Sequence, residues 1–267
     1  MSENRMSRII NLKIIERQGV NMIRFILVVL TVVLFLVLFI PVMALEWVIG
    51  KFNMQAKSIS SLRIVQTVFR FVLWISGVKV TEIGRENVPK DQAVLYIGNH
   101  RSCFDILLLY VRCHGLTGFV AKKEMNQWPL LRVWMRYLYC LFLDRENIKE
   151  GLKTILKAIE YVKSGVSICI FPEGTRCKSE DELEMLPFHD GSFKIAQKSG
   201  CPIIPVALNN TSSMFEDQFP RIIPRHVVIE YGKPILYSEL AKEDQRRIGS
   251  YTQNIILEML KKNQELI

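Results

Sequence analysis

From Phe25 to Leu45 the chain reads FILVVLTVVLFLVLFIPVMAL, 21 residues without a single charge. At about 1.5 Å of rise per residue, a helix of that length covers a hydrocarbon core of roughly 30 Å. A run this apolar must be placed in lipid or covered by protein, so it restricts everything that follows it. Arg5, Arg8, Lys13, Arg17 and Arg24 precede it, a bias that predicts a cytoplasmic N-terminus. The run outlasts the apolar region of a cleaved signal peptide, and MALEW is a poor cleavage site, so the segment reads as an anchor. Met22 is a second candidate start, which would remove the basic leader and leave the anchor intact.

The next apolar stretch, SLRIVQTVFRFVLWISGVKV (Ser61 to Val80), is interrupted by Arg63, Gln66 and Arg70. Their spacing of three to four draws one polar stripe along a helix. Such a helix can lie in the membrane interface with the stripe toward lipid phosphates; a helix packed on the protein core is the competing reading. Basic residues flank the helical pair on both sides. The expectation is a hairpin that enters the bilayer and returns to the cytosolic face. Residues 1–24 then form a basic leader, 25–78 a membrane-anchoring helical pair and 79–267 a cytoplasmic domain on the cell membrane.

After Gly77 short apolar runs alternate with longer helical stretches. Strands are expected at Lys79–Ile83, Ala93–Ile97, Thr117–Ala121, Cys140–Leu143, Val166–Phe171, Ile203–Leu208 and Val227–Tyr231. Helices are expected at Asp105–Cys113, Pro129–Leu138, Ile148–Lys163, Ser192–Lys198 and Ser238–Lys262, with Pro129 in a first turn and Gly165 and Gly200 at helix ends. This alternation predicts an α/β fold, a mostly parallel mixed sheet flanked by helices and preceded by the helical hairpin. Cys177–Asp190, polar and acidic, is expected to be a surface excursion. The six cysteines have no zinc-ribbon spacing, which fits buried thiols in a reducing compartment.

Sites in open α/β sheets gather at the carboxyl ends of strands. Here those ends deliver GNHRSCFD after Ile97, Lys122-Lys123-Glu124 after Ala121, Asp144-Arg145 after Leu143 and PEGTR after Phe171. A carboxylate from Asp105 on one imidazole nitrogen of His100 would fix the tautomer and leave the other nitrogen free as a base. An N-cap aspartate beside a surface histidine has the same spacing. The glycine-bearing turn Phe171–Arg176 can present backbone N–H groups and a guanidinium fork to phosphate oxygens, or it can be a solvated turn. Ser102 or Cys103 as a nucleophile on His100 is a further possibility, though the chain has no G-x-S-x-G elbow. His100, Cys103, Cys113 and His114 match no common metal-ligand spacing, so no metal is expected. The net charge of +9 predicts anionic partners; the anchor and the lack of a recognition motif argue against nucleic acid.

Taken together these motifs resemble the 1-acylglycerol-3-phosphate O-acyltransferase family of glycerolipid acyltransferases. NHRSCFD matches the N-H-x-x-x-x-D block at Asn99, His100 and Asp105, and FPEGTR matches the block at Phe171 through Arg176. VAKKEM, LFLDR and CPIIPVAL resemble the looser blocks around Lys122, Arg145, Pro202 and Pro205. The resemblance implies His100 as general base and Asp105 as its orienter. Lys122, Arg145, Glu173, Gly174, Thr175 and Arg176 would form the acceptor and phosphate side. It further implies an acyl thioester co-substrate, acyl-CoA or acyl carrier protein, with no other cofactor, and a membrane lipid acceptor at an anionic lipid surface. The expected reaction acylates the sn-2 hydroxyl of lysophosphatidic acid. The alternatives are another lysophospholipid or glycerol 3-phosphate as acceptor, or a non-enzymatic protein binding anionic lipid. The chain departs from the family where Tyr139-Cys140 replaces a glycine common upstream of the LFLDR block, and where His189 replaces a lysine.

Overall fold

A computed structural model describes residues 2–267, with side chains from Gln18 onward. The side chains of Arg5, Arg8, Lys13 and Arg17, the leader's basic residues, lie outside that range. Helices α1 (Ser2–Leu38), α2 (Ile40–Phe52) and α3 (Met54–Ser76) come first. The apolar run is therefore not one helix. It breaks at Phe39 because Pro41 lacks the N–H a continuing helix needs and its ring crowds the preceding turn. Two segments, Gln18–Leu38 of 21 residues and Met54–Ser76 of 23, are long and apolar enough to cross a membrane by length and composition.

Almost none of Gln18–Leu38 is covered by protein, and Ile23, Ile26, Leu30 and Val33 are exposed along it. Helix α3 behaves differently. Its Leu62, Val65, Val72 and Leu73 are buried, so it packs on the core while Arg63 and Arg70 stay exposed. Gln66 does not belong to a lipid-facing stripe: it is fully buried and donates to the carbonyls of Tyr110 and Cys113, both at 3.1 Å. Asn53 caps α3 through the Ala56 N–H at 2.9 Å. Tyr137 donates to the Met43 carbonyl at 3.0 Å, pinning α2 to the domain.

The domain is built from β1 (Lys79–Ile83), β2 (Leu95–Gly98), α4 (Phe104–Tyr110), β3 (Thr117–Lys122), α5 (Pro129–Tyr137), β4 (Leu141–Leu143), α6 (Ile148–Lys163), β5 (Ser167–Ile170), α7 (Lys194–Ser199), β6 (Ile203–Asn209), β7 (His226–Tyr231), α8 (Lys242–Arg246) and α9 (Ile248–Asn263). The sheet order is β1-β7-β6-β2-β5-β3-β4. All neighbours are parallel except β6 and β7, so β7 and β1 run against the other five strands. The expected mixed, mostly parallel sheet is what the chain forms. Alternate strand residues supply two cores: Tyr96, Phe119 and Cys169 face α3, α4 and α5, whereas Leu95, Ile97 and Ile168 face α6, α7 and α9. The single helix expected over Ser238–Lys262 is instead α8 and α9, broken at Arg247. All six cysteines are free thiols, five of them buried.

Replacing Gln66 with Leu leaves the Cys113 carbonyl without a donor and the Tyr110 carbonyl with only the Cys113 N–H at 3.3 Å. The Gln66→Leu variant should lose about 1–3 kcal/mol of stability, read as a lowered thermal unfolding midpoint of the full chain.

Candidate active site

The strand order brings the carboxyl ends of β2, β5, β3 and β4 side by side, so the loops after them share one rim. Asn99 closes the end of β2: its amide donates to the Leu208 carbonyl at 3.0 Å and accepts from the Leu208 N–H at 2.8 Å. That staple fixes where His100 leaves the sheet.

His100 and Asp105 meet. Nδ1 of His100 lies 2.8 Å from Oδ2 of Asp105, and the same oxygen accepts the N–H groups of Arg101 and Ser102, each at 2.8 Å. Asp105 is fully buried in the first turn of α4, whose cap position is Cys103. Its carboxylate therefore turns back onto the preceding loop and does not serve as the cap. The His100 ring stacks on Phe171 with centroids 4.2 Å apart and planes 14° from parallel, which leaves Nε2 facing outward without a partner among the described residues. An imidazole held this way can take a proton from one direction only.

Glu173 has a different place from the one expected. It is buried, accepts the His100 N–H at 2.7 Å and the Leu186 N–H at 2.8 Å, and so braces the histidine loop from behind. Burial pushes its carboxyl above the ordinary value, and the two N–H bonds pull in the other direction. Gly174 has φ +75°, the left-handed region that side chains resist. A Cβ on Gly174 would lie 3.6 Å from the His189 ring and 3.8 Å from the Arg145 guanidinium carbon, so those three residues adjoin. Thr175 and Arg176 are exposed on the same turn.

Arg145 and Lys122, on the ends of β4 and β3, have no ion-pair partner among the described residues. Burial lowers the Arg145 pKa and Glu124 offsets part of that. The neighbouring Lys123 is engaged with Asp144 at 3.1 Å and Glu146 at 3.4 Å. The C-terminal end of the Phe171–Arg176 turn is anchored too, since the Cys177 N–H donates to the His100 carbonyl at 2.8 Å.

The covalent alternative loses its candidates. Ser102 is fully buried with Oγ accepting the Phe104 N–H at 3.0 Å. Burial, with Glu216 adding to it, holds the Cys103 thiol well above its usual pKa, which disfavours a reactive thiolate. In the Tyr139-Cys140 region, Tyr139 takes φ +59°, a backbone strain offset by its hydroxyl contact with Ser58 Oγ at 3.0 Å and its edge-on packing with Tyr161 at 5.1 Å.

Two residues escaped the sequence reading. Arg101 is buried and donates to the carbonyls of Asp181 at 3.0 Å and Glu184 at 3.1 Å, and also to that of Ser179. The Cys177–Asp190 excursion is thus clamped to the residue beside the histidine. Glu216 bonds Arg176 at 2.7 Å. Neither has a local spacing signal, because both partners are far away in the chain.

Residues 79–209 match the family model described as acyltransferase. A 1-acyl-sn-glycerol-3-phosphate acyltransferase of Saccharomyces cerevisiae is 34% identical over 181 residues, 67% of this chain and 58% of that protein. The protein of that name from Haemophilus influenzae is 29% identical over 205 residues, covering 75% and 82% of the two chains. The chain spans about three fifths of the length of the first two relatives it matches, 58% and 61%. The crystal structure of the 1-acyl-sn-glycerophosphate acyltransferase of Thermotoga maritima superposes with a TM-score of 0.77 at 21% identity, over 92% of this chain and 98% of that one, and so shares the fold.

Replacing Arg101 with Ala frees three carbonyls from their clamp. Arg101→Ala should open the 177–190 segment to limited proteolysis and cost about 1.5–3 kcal/mol of stability, measured by cleavage mapping alongside thermal unfolding.

Proposed function

We propose that this chain, whose residues 79–209 match the acyltransferase family model, moves a fatty acyl group from a thioester to the sn-2 hydroxyl of lysophosphatidic acid, giving phosphatidic acid. The observation that carries this reading is His100, held by Asp105 at 2.8 Å with Nε2 open, on a rim shared with Arg145, Arg176 and Lys122.

In this reading Nε2 of His100 takes the proton of the acceptor hydroxyl as the oxygen attacks the thioester carbonyl carbon. The tetrahedral intermediate collapses, the C–S bond breaks, and the imidazolium returns the proton to the departing thiolate. Asp105 keeps the proton of the resting imidazole on Nδ1 and stabilises the imidazolium while it exists. The acceptor phosphate sits against Arg176, Arg145 and Lys122, with the Gly174–Thr175 backbone completing the cradle. Glu173 supports the histidine loop and does not contact the phosphate. The donor is acyl-CoA or acyl carrier protein, both anionic and suited to the net charge of +9.

A membrane lipid as acceptor gives the N-terminal helices a purpose. The exposed apolar flank of α1 would seat in the bilayer, and the domain would face the cytoplasm with its rim at headgroup level.

His100→Ala should lower turnover about 10²–10⁴-fold, the usual contribution of a positioned general base, and Asp105→Asn should give a milder loss. Near wild-type turnover of the His100 variant with purified protein would exclude the histidine as base. Arg176→Ala should raise the KM for lysophosphatidic acid by about tenfold and leave the donor KM nearly unchanged; steady-state kinetics with each substrate varied in turn checks this.

A further inference from the structure

Arg176 is half exposed, with one nitrogen committed. Its Nη1 donates to Oε1 of Glu216 at 2.7 Å, and no other nitrogen of its fork has a partner among the described residues. The same Glu216 oxygen accepts the N–H of Cys103 at 2.8 Å, at the cap of the helix that carries Asp105. Oε2 of Glu216 is buried without a partner. One carboxylate oxygen therefore ties the guanidinium to the loop that presents His100.

Glu216 is itself held from outside the site. It lies between β6 and β7 in a pair of short turns, next to Phe215. Phe215 stacks on Phe25 of α1 at 5.8 Å and meets Phe104 of α4 at 6.1 Å and Phe219 at 5.5 Å. Phe219 also meets Phe25 at 5.9 Å, and the Ile222 N–H donates to the Asn21 carbonyl at 3.2 Å. The aromatic cluster fixes the backbone on which Glu216 sits, and α1 forms one wall of that cluster.

We infer that Glu216 is a positioning residue for acceptor recognition: it holds the Arg176 guanidinium beside the His100 loop with its remaining N–H groups open to a phosphate. A free arginine side chain loses about 1.5–2 kcal/mol of rotamer freedom when a ligand orders it. Glu216 orders it beforehand, and does so with Nη1 alone, which leaves the Nε and Nη2 edge for a bidentate grip on phosphate oxygens. This inference rests on the proposed reading of Arg176 as a phosphate contact.

The test is a double-mutant cycle on the purified full chain, with lysophosphatidic acid varied at a saturating acyl thioester. Glu216→Ala should raise the acceptor KM by about tenfold, the equivalent of one hydrogen bond to a charged group, with little change in kcat. Glu216→Gln, which keeps an oxygen for the Cys103 N–H, should fall between Ala and wild type. In an Arg176→Ala background neither substitution should raise KM further, because Glu216 acts through that side chain. An unchanged KM in the Glu216 variants while Arg176→Ala raises it overturns the inference and spares the phosphate reading. Additive effects overturn it as well, as does a loss confined to kcat. No effect of Arg176→Ala on acceptor KM removes the phosphate reading and the inference with it.

Discussion

A single buried oxygen organises the site. Taking a carboxylate out of water costs several kcal/mol unless donors replace the water, and Asp105 offsets that cost through Oδ2 alone, which gathers an imidazole N–H and two backbone N–H groups while Oδ1 is buried without a partner among the described residues. The requirement runs both ways. The carboxylate is tolerable in the core only if residues 100–102 fold around it, and those residues have a defined path only because it is there. With the Asn99 staple to β6 and the Glu173 brace behind, the histidine is fixed from three strands at once.

The N-terminal helices are more than a tether. Helix α3 shares the core with α4 through its buried apolar face and through Gln66, and α4 begins at the residue after the Cys103 cap. Helix α1 reaches the other flank through the aromatic cluster around Phe215. The His100 loop is therefore bracketed by α1, whose outward face is apolar and uncovered, and by α3, which exposes Phe71 and Trp74 beside Arg63 and Arg70. A rim built this way has a fixed depth relative to whatever phase accepts those helices.

Much of the fold could be read from the chain because the strands carry strong local signals. β6, whose residues are all buried, and β2, with its tyrosine flanked by Leu95 and Ile97, have the apolar composition of a sheet covered on both faces. His100 and Asp105 were legible for a similar reason, since both lie in one short loop between a strand and a helix. What stayed hidden depends on distance in sequence. The break at Pro41 was within reach of local rules, but apolar composition masked it. The break at Arg247 has no proline to mark it, and Gly249 two residues on lies inside the first turn of α9. Gln66 read as interfacial because its periodicity with two arginines is real, yet its partners are 44 and 47 residues away. Arg101 and Glu216 likewise act on segments whose proximity only the sheet order creates, and Glu173 carries a motif position whose task, bracing a backbone, no motif spells out.

The clamp made by Arg101 has a consequence for how this chain can vary. It grips the carbonyl oxygens of Ser179, Asp181 and Glu184, and every residue type supplies the same oxygen. One arginine thus ties the excursion to the histidine loop, while the side chains of Ser179, Asp181 and Glu182 add bonds of their own by accepting the N–H groups of Asp181, Leu183 and Asn210. Substitutions at those three positions leave the backbone acceptors of the Arg101 clamp in place. Diversification of the surface around the site can therefore proceed on a frame that stays still.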